Sequence, residues 1–239
     1  MPHKMLTDQH WSKLKTIFRN FRICLKQNLG NFIEAILYRI HTGCPWRDLP
    51  SAFGKPNCIF KKFSRWSKDN KLLKIFKLIS SDADLEWVFI DASRVRAHQH
   101  ATGIKDQAIS KSIGGNSSKI HLVVDSNGNP VQFLIEDGTT YDAKVAPKVV
   151  ESIDLKETEI LCADKGYDSE SLREQIEKTG TQANIPKKSN TLSNNDHMDW
   201  YLDKIRHLVE DAFARIKQFR GIVTRYDKLK QNYDVLTPN

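Results

Sequence analysis

The stretch Trp87-Val88-Phe89-Ile90-Asp91 decides the fold: four apolar residues closed by a carboxylate. A run this short, following the polar break Ser80-Ser81-Asp82-Ala83-Asp84, reads as a buried strand rather than a helix. The pattern returns over residues 159–163, where Ile160-Leu161-Cys162-Ala163 ends at Asp164. If the two strands are parallel neighbours, their carboxyl ends lie side by side, where open α/β sheets place ligands. Either aspartate alone is more simply read as capping a turn.

Working outward from Asp91, a long loop containing Gly103, Gly114 and Gly115 leads to an expected strand over 119–125. Asn127-Gly128 is a hairpin turn, and 130–135 returns as the next strand. Helices over 142–153 and 169–178 flank the second apolar run. A short strand over 182–185, a polar loop over 186–199 and a long amphipathic helix over 203–220 complete the series. Strand, hairpin, helix, strand, helix, strand, helix is the layout of an α/β ribonuclease-H-like fold, a mixed sheet flanked by helices. Other mixed α/β folds share parts of it.

Upstream, residues 1–80 read as helices, giving a small all-helical domain before an α/β domain over 85–239. One helix is expected over 6–18 with Thr7 as its cap. A second carries Phe32, Ile33, Ile36, Leu37 and Ile40 at helical spacing and stops at Gly43. Cys44-Pro45-Trp46-Arg47-Asp48-Leu49-Pro50 is a rigid turn. A third helix starts near Asn57, a good N-cap, carries Ile59, Phe60, Phe63 and Trp66, and offers Lys61, Lys62 and Arg65 on its other face. A short fourth covers 71–79. This is compatible with helix-turn-helix DNA binding; a bundle that only packs against the next domain is the competing reading.

Charge sharpens that choice without deciding it. The chain of 239 residues carries a net +8, but residues 1–80 hold 16 Lys and Arg against 4 Asp and Glu, and the remainder is net negative. A basic third on a mildly acidic body suits a phosphate backbone; a Lys-rich solvated face explains it equally well. Apolar residues make up 39% of the chain, which suits a globular protein. No segment approaches the ~20 apolar residues of a membrane span, and the first residues lack a signal-peptide pattern, so a cytoplasmic protein is expected. Cys24, Cys44, Cys58 and Cys162 form no Cys-x-x-Cys pair and read as reduced thiols, mostly buried.

The last helix brings a third carboxylate. Arg206, Glu210 and Lys217, at spacings of 4 and 7, fall within roughly 40° on one helix face. Ile205, Leu208, Val209, Ala212, Phe213, Ile216 and Phe219 make the adjoining apolar face. Taken alone, Arg206 and Glu210 are an ordinary i,i+4 ion pair. Three carboxylates on separate elements, however, are what two divalent ions require, and Mg²⁺ and Mn²⁺ prefer hard oxygen ligands. Two such ions support phosphodiester chemistry. Arg206 and Lys217 would then hold phosphates.

These residues resemble a known family. Arg206-x3-Glu210-x6-Lys217 resembles the Arg-x3-Glu-x6-Lys element of the DDE transposases of bacterial insertion sequences. Ala163-Asp164-Lys165-Gly166-Tyr167-Asp168-Ser169 resembles the segment around that family's second carboxylate, and Phe89-Ile90-Asp91-Ala92-Ser93 with Arg96-Ala97-His98 the segment around its first. Lys119-Ile120-His121, the stretch from Gly138 to Asp142, and Phe219-Arg220 continuing to Thr224-Arg225-Tyr226-Asp227-Lys228 match as well. Thr42-Gly43-Cys44-Pro45-Trp46-Arg47-Asp48-Leu49-Pro50 resembles the helical domain of the insertion-sequence-five group, itself related to the insertion-sequence-four superfamily. Two departures touch no catalytic position: Asp203 stands where the family often has tyrosine, and Ala92-Ser93 where it often has a small hydroxyl residue and threonine. The 45 residues between Asp164 and Glu210 leave no room for an inserted domain.

The resemblance implies a DNA-cleaving and strand-transferring enzyme with Asp91, Asp164 and Glu210 as catalytic metal ligands, Asp91 bridging two Mg²⁺ ions for which Mn²⁺ substitutes. Water and then a DNA 3′-hydroxyl would be the nucleophiles. Lys61, Lys62, Arg65, Arg206 and Lys217 would bind DNA, the chain would assemble as a homodimer or larger on it, and neither a membrane nor a small-molecule substrate is implied. Two other readings stay open: a structure-specific nuclease on the same fold, and a non-enzymatic DNA-binding protein from a degenerate element.

Overall fold

The computed structural model describes residues 4–23, 25, 28–188 and 194–235. Cys24 and the middle of the expected 186–199 loop lie outside them. Four helices come first. α1 (Asp8–Asn20) is capped by Thr7, whose hydroxyl accepts the His10 N–H at 3.2 Å. α2 (Leu29–Thr42) ends at Gly43, whose φ of 69° is the left-handed conformation glycine adopts without strain. α3 (Pro56–Lys68) is not capped by Asn57 as expected: its cap is Lys55, two residues earlier, because Pro56 has its φ preset for the first helical position and needs no N–H partner there. α4 (Lys71–Ile79) follows. Phe18 and Phe32 meet Trp66 edge-to-face at 6.3 and 5.1 Å, fixing how α1, α2 and α3 cross. The expectation of mostly buried thiols fails at Cys58, which α3 turns outward with Lys61 and Arg65; Cys162 is buried and Cys44 half-buried.

A mixed sheet follows, made of β1 (Trp87–Ala97), β2 (Ser110–Ser112), β3 (Gly115–Val124), β4 (Pro130–Asp137), β5 (Ile160–Ala163), β6 (Gln182–Asn184) and β7 (Thr224–Arg225). The strand order is β2-β3-β1-β5-β6, with β4 also on β3 and β7 also on β1. The β1, β3, β4 part is antiparallel, and β5 and β6 extend it in parallel. This is the ribonuclease-H-like arrangement expected. One boundary differs in a way that matters. β1 does not stop at Asp91 but runs six residues further, because β3 pairs it from Phe89 to Arg96. The continuation alternates exposed Arg94 and Arg96 with buried Val95 and Ala97, a half-buried strand pattern hidden behind the apolar run.

Two apolar clusters lie on the two sides of the sheet. Alternation sends Val88 and Ile90 of β1 and Leu161 and Ala163 of β5 into one, under α5 (Asp142–Glu151) and α6 (Glu170–Glu177). Phe89 and Val95, with Ile120, Leu122 and Val124 of β3, enter the other. There they meet the four N-terminal helices and α8 (His207–Ile216). The helical region thus shares a core with one face of the sheet.

The long helix expected over 203–220 is three pieces: α7 (Trp200–Ile205), α8, and α9 (Arg220–Val223). At the first break the Arg206 N–H is shared between Leu202 and Asp203 carbonyls at 3.1 and 3.3 Å, a local tightening of the spiral. At the second, the chain turns so that α9 can reach α2. A Cβ at Gly221 would stand 3.0 Å from the Ile40 carbonyl oxygen, so that approach needs glycine. α10 (Lys230–Asp234) closes the described chain.

Candidate active site

The register of β1 and β5 sets the first two carboxylates. Ile90 pairs with Ala163 in parallel, so Asp91 and Asp164 are the next residues on adjacent strands. Strands in a sheet lie about 4.8 Å apart. Asp91 falls on the side of β1 shared with Phe89, facing α8, and its carboxylate accepts the Ala92 N–H at 2.8 Å. Asp164 leaves its strand to cap a 3-10 turn, accepting the Gly166 N–H at 2.8 Å. A Cβ at Gly166 would stand 2.8 Å from the Asp164 carboxylate and 3.4 Å from that of Asp142, so glycine is required here by close approach.

Glu210 comes from α8, which packs across β1 and β3. Its side chain is 58% exposed and lies 3.6 Å from Arg206, which also stands 3.7 Å from Asp203. Burial raises the Asp91 pKa above the ordinary carboxylate value; the Ala92 N–H opposes this, Asp164 adds to the rise, Arg206 opposes it and Glu210 adds to it. Asp91 therefore feels both of the other carboxylates, each from a different element. They are not closed on an ion as they stand: among the described residues no three His, Cys, Asp or Glu side chains are grouped tightly enough to hold a metal. The donor chemistry fits a hard divalent cation, which would relieve the repulsion at Asp91. Glu210 is exposed and held near Arg206 rather than turned toward Asp91 and Asp164.

Lys217 joins the same surface. Its ammonium donates to Ser93 Oγ at 2.5 Å. Ser93 lies two residues beyond Asp91 on the same side of β1, so the cation stands beside the carboxylates. Of the α3 cations, Lys61 and Arg65 are exposed, whereas Lys62 lies over the rings of Phe32 and Trp66, 4.2 and 5.1 Å from their centres.

Behind the carboxylates, on the α5 side of the sheet, is a network that motif spacing alone left without a role. Lys119 donates to Asp142 and to the Thr140 carbonyl, both at 2.9 Å. His121 Nδ1 is 2.8 Å from the Tyr167 hydroxyl and 3.8 Å from Asp142. Burial pulls the His121 pKa down to about 4 against the pull of Asp142, so the ring is neutral near pH 7. Burial, and then Asp142, Asp91 and Asp164, hold the Tyr167 hydroxyl protonated. Tyr167 ends the turn that Asp164 begins, so the network fixes that turn from below. A lysine and a histidine inside a strand otherwise rich in apolar residues were the available signal.

Comparison with known proteins places most of the chain in one family. A family profile described as "Transposase DDE domain" matches residues 83–234, and one described as "Putative transposase of IS4/5 family" matches residues 6–76. A putative transposase for insertion sequence element IS6501 of Brucella ovis is 31% identical over 112 residues, 47% of this chain and 85% of that one. A putative transposase for insertion sequence element IS402 of Burkholderia cepacia is 26% identical, over 46% of this chain and 54% of that one. An uncharacterized protein, y4sN, of Sinorhizobium fredii is 38% identical over 31% of this chain and 59% of its own. The chain therefore spans little more than half the length of two of these three relatives. Among solved structures, a piggyBac transposase synaptic complex with hairpin DNA aligns at a TM-score of 0.40 and 10% identity, over 78% of this chain and 50% of that one. A Mos1 transposase paired-end complex aligns at 0.30 and 8%, over 98% and 84%. At these scores the likenesses carry no weight; the fold rests on the strand order.

Proposed function

This chain belongs to the transposase DDE-domain family, and from that premise we propose that it cuts DNA at insertion-sequence ends and joins them to target DNA. The observation that carries this reading is the meeting of Asp91 and Asp164 on adjacent parallel strands, with Glu210 close enough to act on Asp91. Asp91, Asp164 and Glu210 would hold two divalent ions, Mg²⁺ or Mn²⁺ in its place. When bound, the ions would supply the positive charge that activates the attacking oxygen and stabilises the leaving one.

The chain's own residues do the rest. Lys217 exchanges Ser93 for a phosphate oxygen, and Arg206 turns from Glu210 to the same strand once Glu210 swings inward. Neutral His121 and protonated Tyr167 hold the Asp164 turn. No serine or cysteine attacks, so water and then a DNA 3′-hydroxyl are the nucleophiles. Residues 85–239 supply the chemistry; residues 1–80 grip DNA ends through Lys61, Lys62 and Arg65, Lys62 also bracing the aromatic cluster. The chain would act in the bacterial cytoplasm as a homodimer or larger assembly on DNA. No helix among the described residues is long and apolar enough to cross a membrane.

The test is an assay with the full chain, Mg²⁺ and DNA carrying the element's ends. Cleavage followed by joining is expected. Cleavage without joining would make the protein a nuclease, and neither would reduce it to a DNA-binding protein.

A further inference from the structure

The outer half of β1 carries a surface that none of the assigned roles uses. β5 pairs with β1 only at 87–90 and β7 only at 96–97, so between them residues 91–95 have no strand on that edge among the described residues. This open edge begins at Asp91. Exposed Arg94 on this edge and exposed Arg96 just beyond it, where β7 begins to pair, project from the side of β1 opposite Asp91. Just past its end three rings gather: His98 stands 4.7 Å from His100 and 5.1 Å from Tyr226, all tilted against one another. None belongs to either apolar cluster.

The rings are held in place and not left to wander. The His98 N–H donates to the Arg225 carbonyl at 2.9 Å, and its Nδ1 accepts the His100 N–H at 3.2 Å. Tyr226 sits between two anchors. Arg225 is fully buried and donates to Ser118 Oγ at 2.9 Å, to the Asp227 carbonyl at 3.1 Å and to the Ala108 carbonyl at 3.2 Å. Asp227 holds Arg39 at 2.9 Å in a buried pair. With both neighbours fixed inward, the Tyr226 ring is displayed outward and stays 40% exposed. Anchored rings, His100 and Tyr226 exposed and His98 half-buried between them, next to two arginines suit one ligand: a nucleic-acid strand, with bases on the rings and phosphates on the guanidiniums.

We propose that His98, His100 and Tyr226 form a stacking platform for unpaired DNA bases, with Arg94 and Arg96 holding the phosphates of a single strand that passes from Asp91 round the open edge to the opposite side of β1. The first ring, His98, lies seven residues from Asp91, about 23 Å at roughly 3.3 Å per residue. That is the span of about seven stacked nucleotides at 3.4 Å each. The platform would hold a strand opened at the cleavage site, and so it rests on the proposed function.

The test is binding of the full chain in EDTA, where metal-dependent cleavage is silent, to a fluorescent 12-nucleotide oligo-dT and to a duplex of equal length. Tyr226→Ala is expected to weaken oligo-dT binding about tenfold, and duplex binding less. Tyr226→Phe and Tyr226→Trp, which keep a ring, are expected to stay near the parent, and His98→Ala to repeat the loss. Unchanged oligo-dT affinity in a folded Tyr226→Ala protein would overturn the platform. So would a Tyr226→Phe protein as weak as the alanine variant, since the hydroxyl would then be the contact. Cleavage by the parent in Mg²⁺, read in parallel, separates the two ideas. An inactive parent whose Tyr226→Ala variant still loses oligo-dT supports the platform and sinks only the transposase reading.

Discussion

The two faces of β1 and β3 are built on opposite principles. On the α8 face, Asp91, Glu210 and Lys217 are exposed or half-buried, and burial and neighbouring anions push Asp91 above its ordinary pKa. On the α5 face, Lys119, Asp142, His121 and Tyr167 are largely satisfied by one another. One face carries charge that something else must complete; the other is closed by its own hydrogen bonds except at the buried Nε2 of His121, which has no partner among the described residues. Function is expected on the first and stability on the second, and substitutions should separate the two.

The largest effect should come from Asp91→Asn, Asp164→Asn and Glu210→Gln. Each should cut cleavage and joining by about a thousandfold or more, since two-ion charge stabilisation is worth several kcal/mol. Without metal, Asp91→Asn should melt no lower than the parent at pH 7. The sign follows from its raised pKa: the folded state disfavours the ionised form, so the cost is present at neutral pH and vanishes below the carboxylate's ordinary range. A structural ion-pair network would instead lose stability.

Next comes Lys119→Met on the closed face. It strands Asp142, whose side chain is only 26% exposed, and should cost about 2–4 kcal/mol in denaturant unfolding. His121 gives the face a pH signature. With its pKa depressed from 6.5 to about 4, its contribution is full above pH 6.5 and is lost as pH falls toward 4. Across that window the parent should lose up to about 3 kcal/mol that His121→Gln does not. Equal pH profiles would place the titration elsewhere.

The smallest effects belong to the outer cations. Lys217→Ala should weaken DNA-end binding several-fold while leaving Mn²⁺ binding without DNA intact. Lys61→Ala and Arg65→Ala should each reduce the salt dependence of DNA binding by about one in log–log slope. If Lys217→Ala lost metal binding in a folded protein, that cation would be supporting the carboxylates rather than DNA.

Most of this was legible in the sequence where a residue's role is local. The apolar runs before Asp91 and Asp164 marked their strands, and Gly43 and Thr7 marked helix ends. What escaped depends on partners distant in sequence. β1 continues past Asp91 because β3 pairs with it, and the residues from Ala92 to Ala97 look loop-like until that partner is in place. The 203–220 helix breaks because α9 must reach α2, a contact between residues far apart in the chain. Lys119, His121 and Asp142 looked like motif fragments because their meaning lies in Tyr167 closing over them.

The central claim is that Asp91, Asp164 and Glu210 make one metal site although they are not gathered on an ion in the bare protein. Mn²⁺ titration of the full chain without DNA, followed by the paramagnetic relaxation of water protons, tests it most directly. Parent protein should bind Mn²⁺, and Asp91→Asn, Asp164→Asn and Glu210→Gln should each weaken that binding at least about tenfold, the loss of one charged ligand being worth more than 1.4 kcal/mol. Three folded variants that bind Mn²⁺ as the parent does would contradict the account.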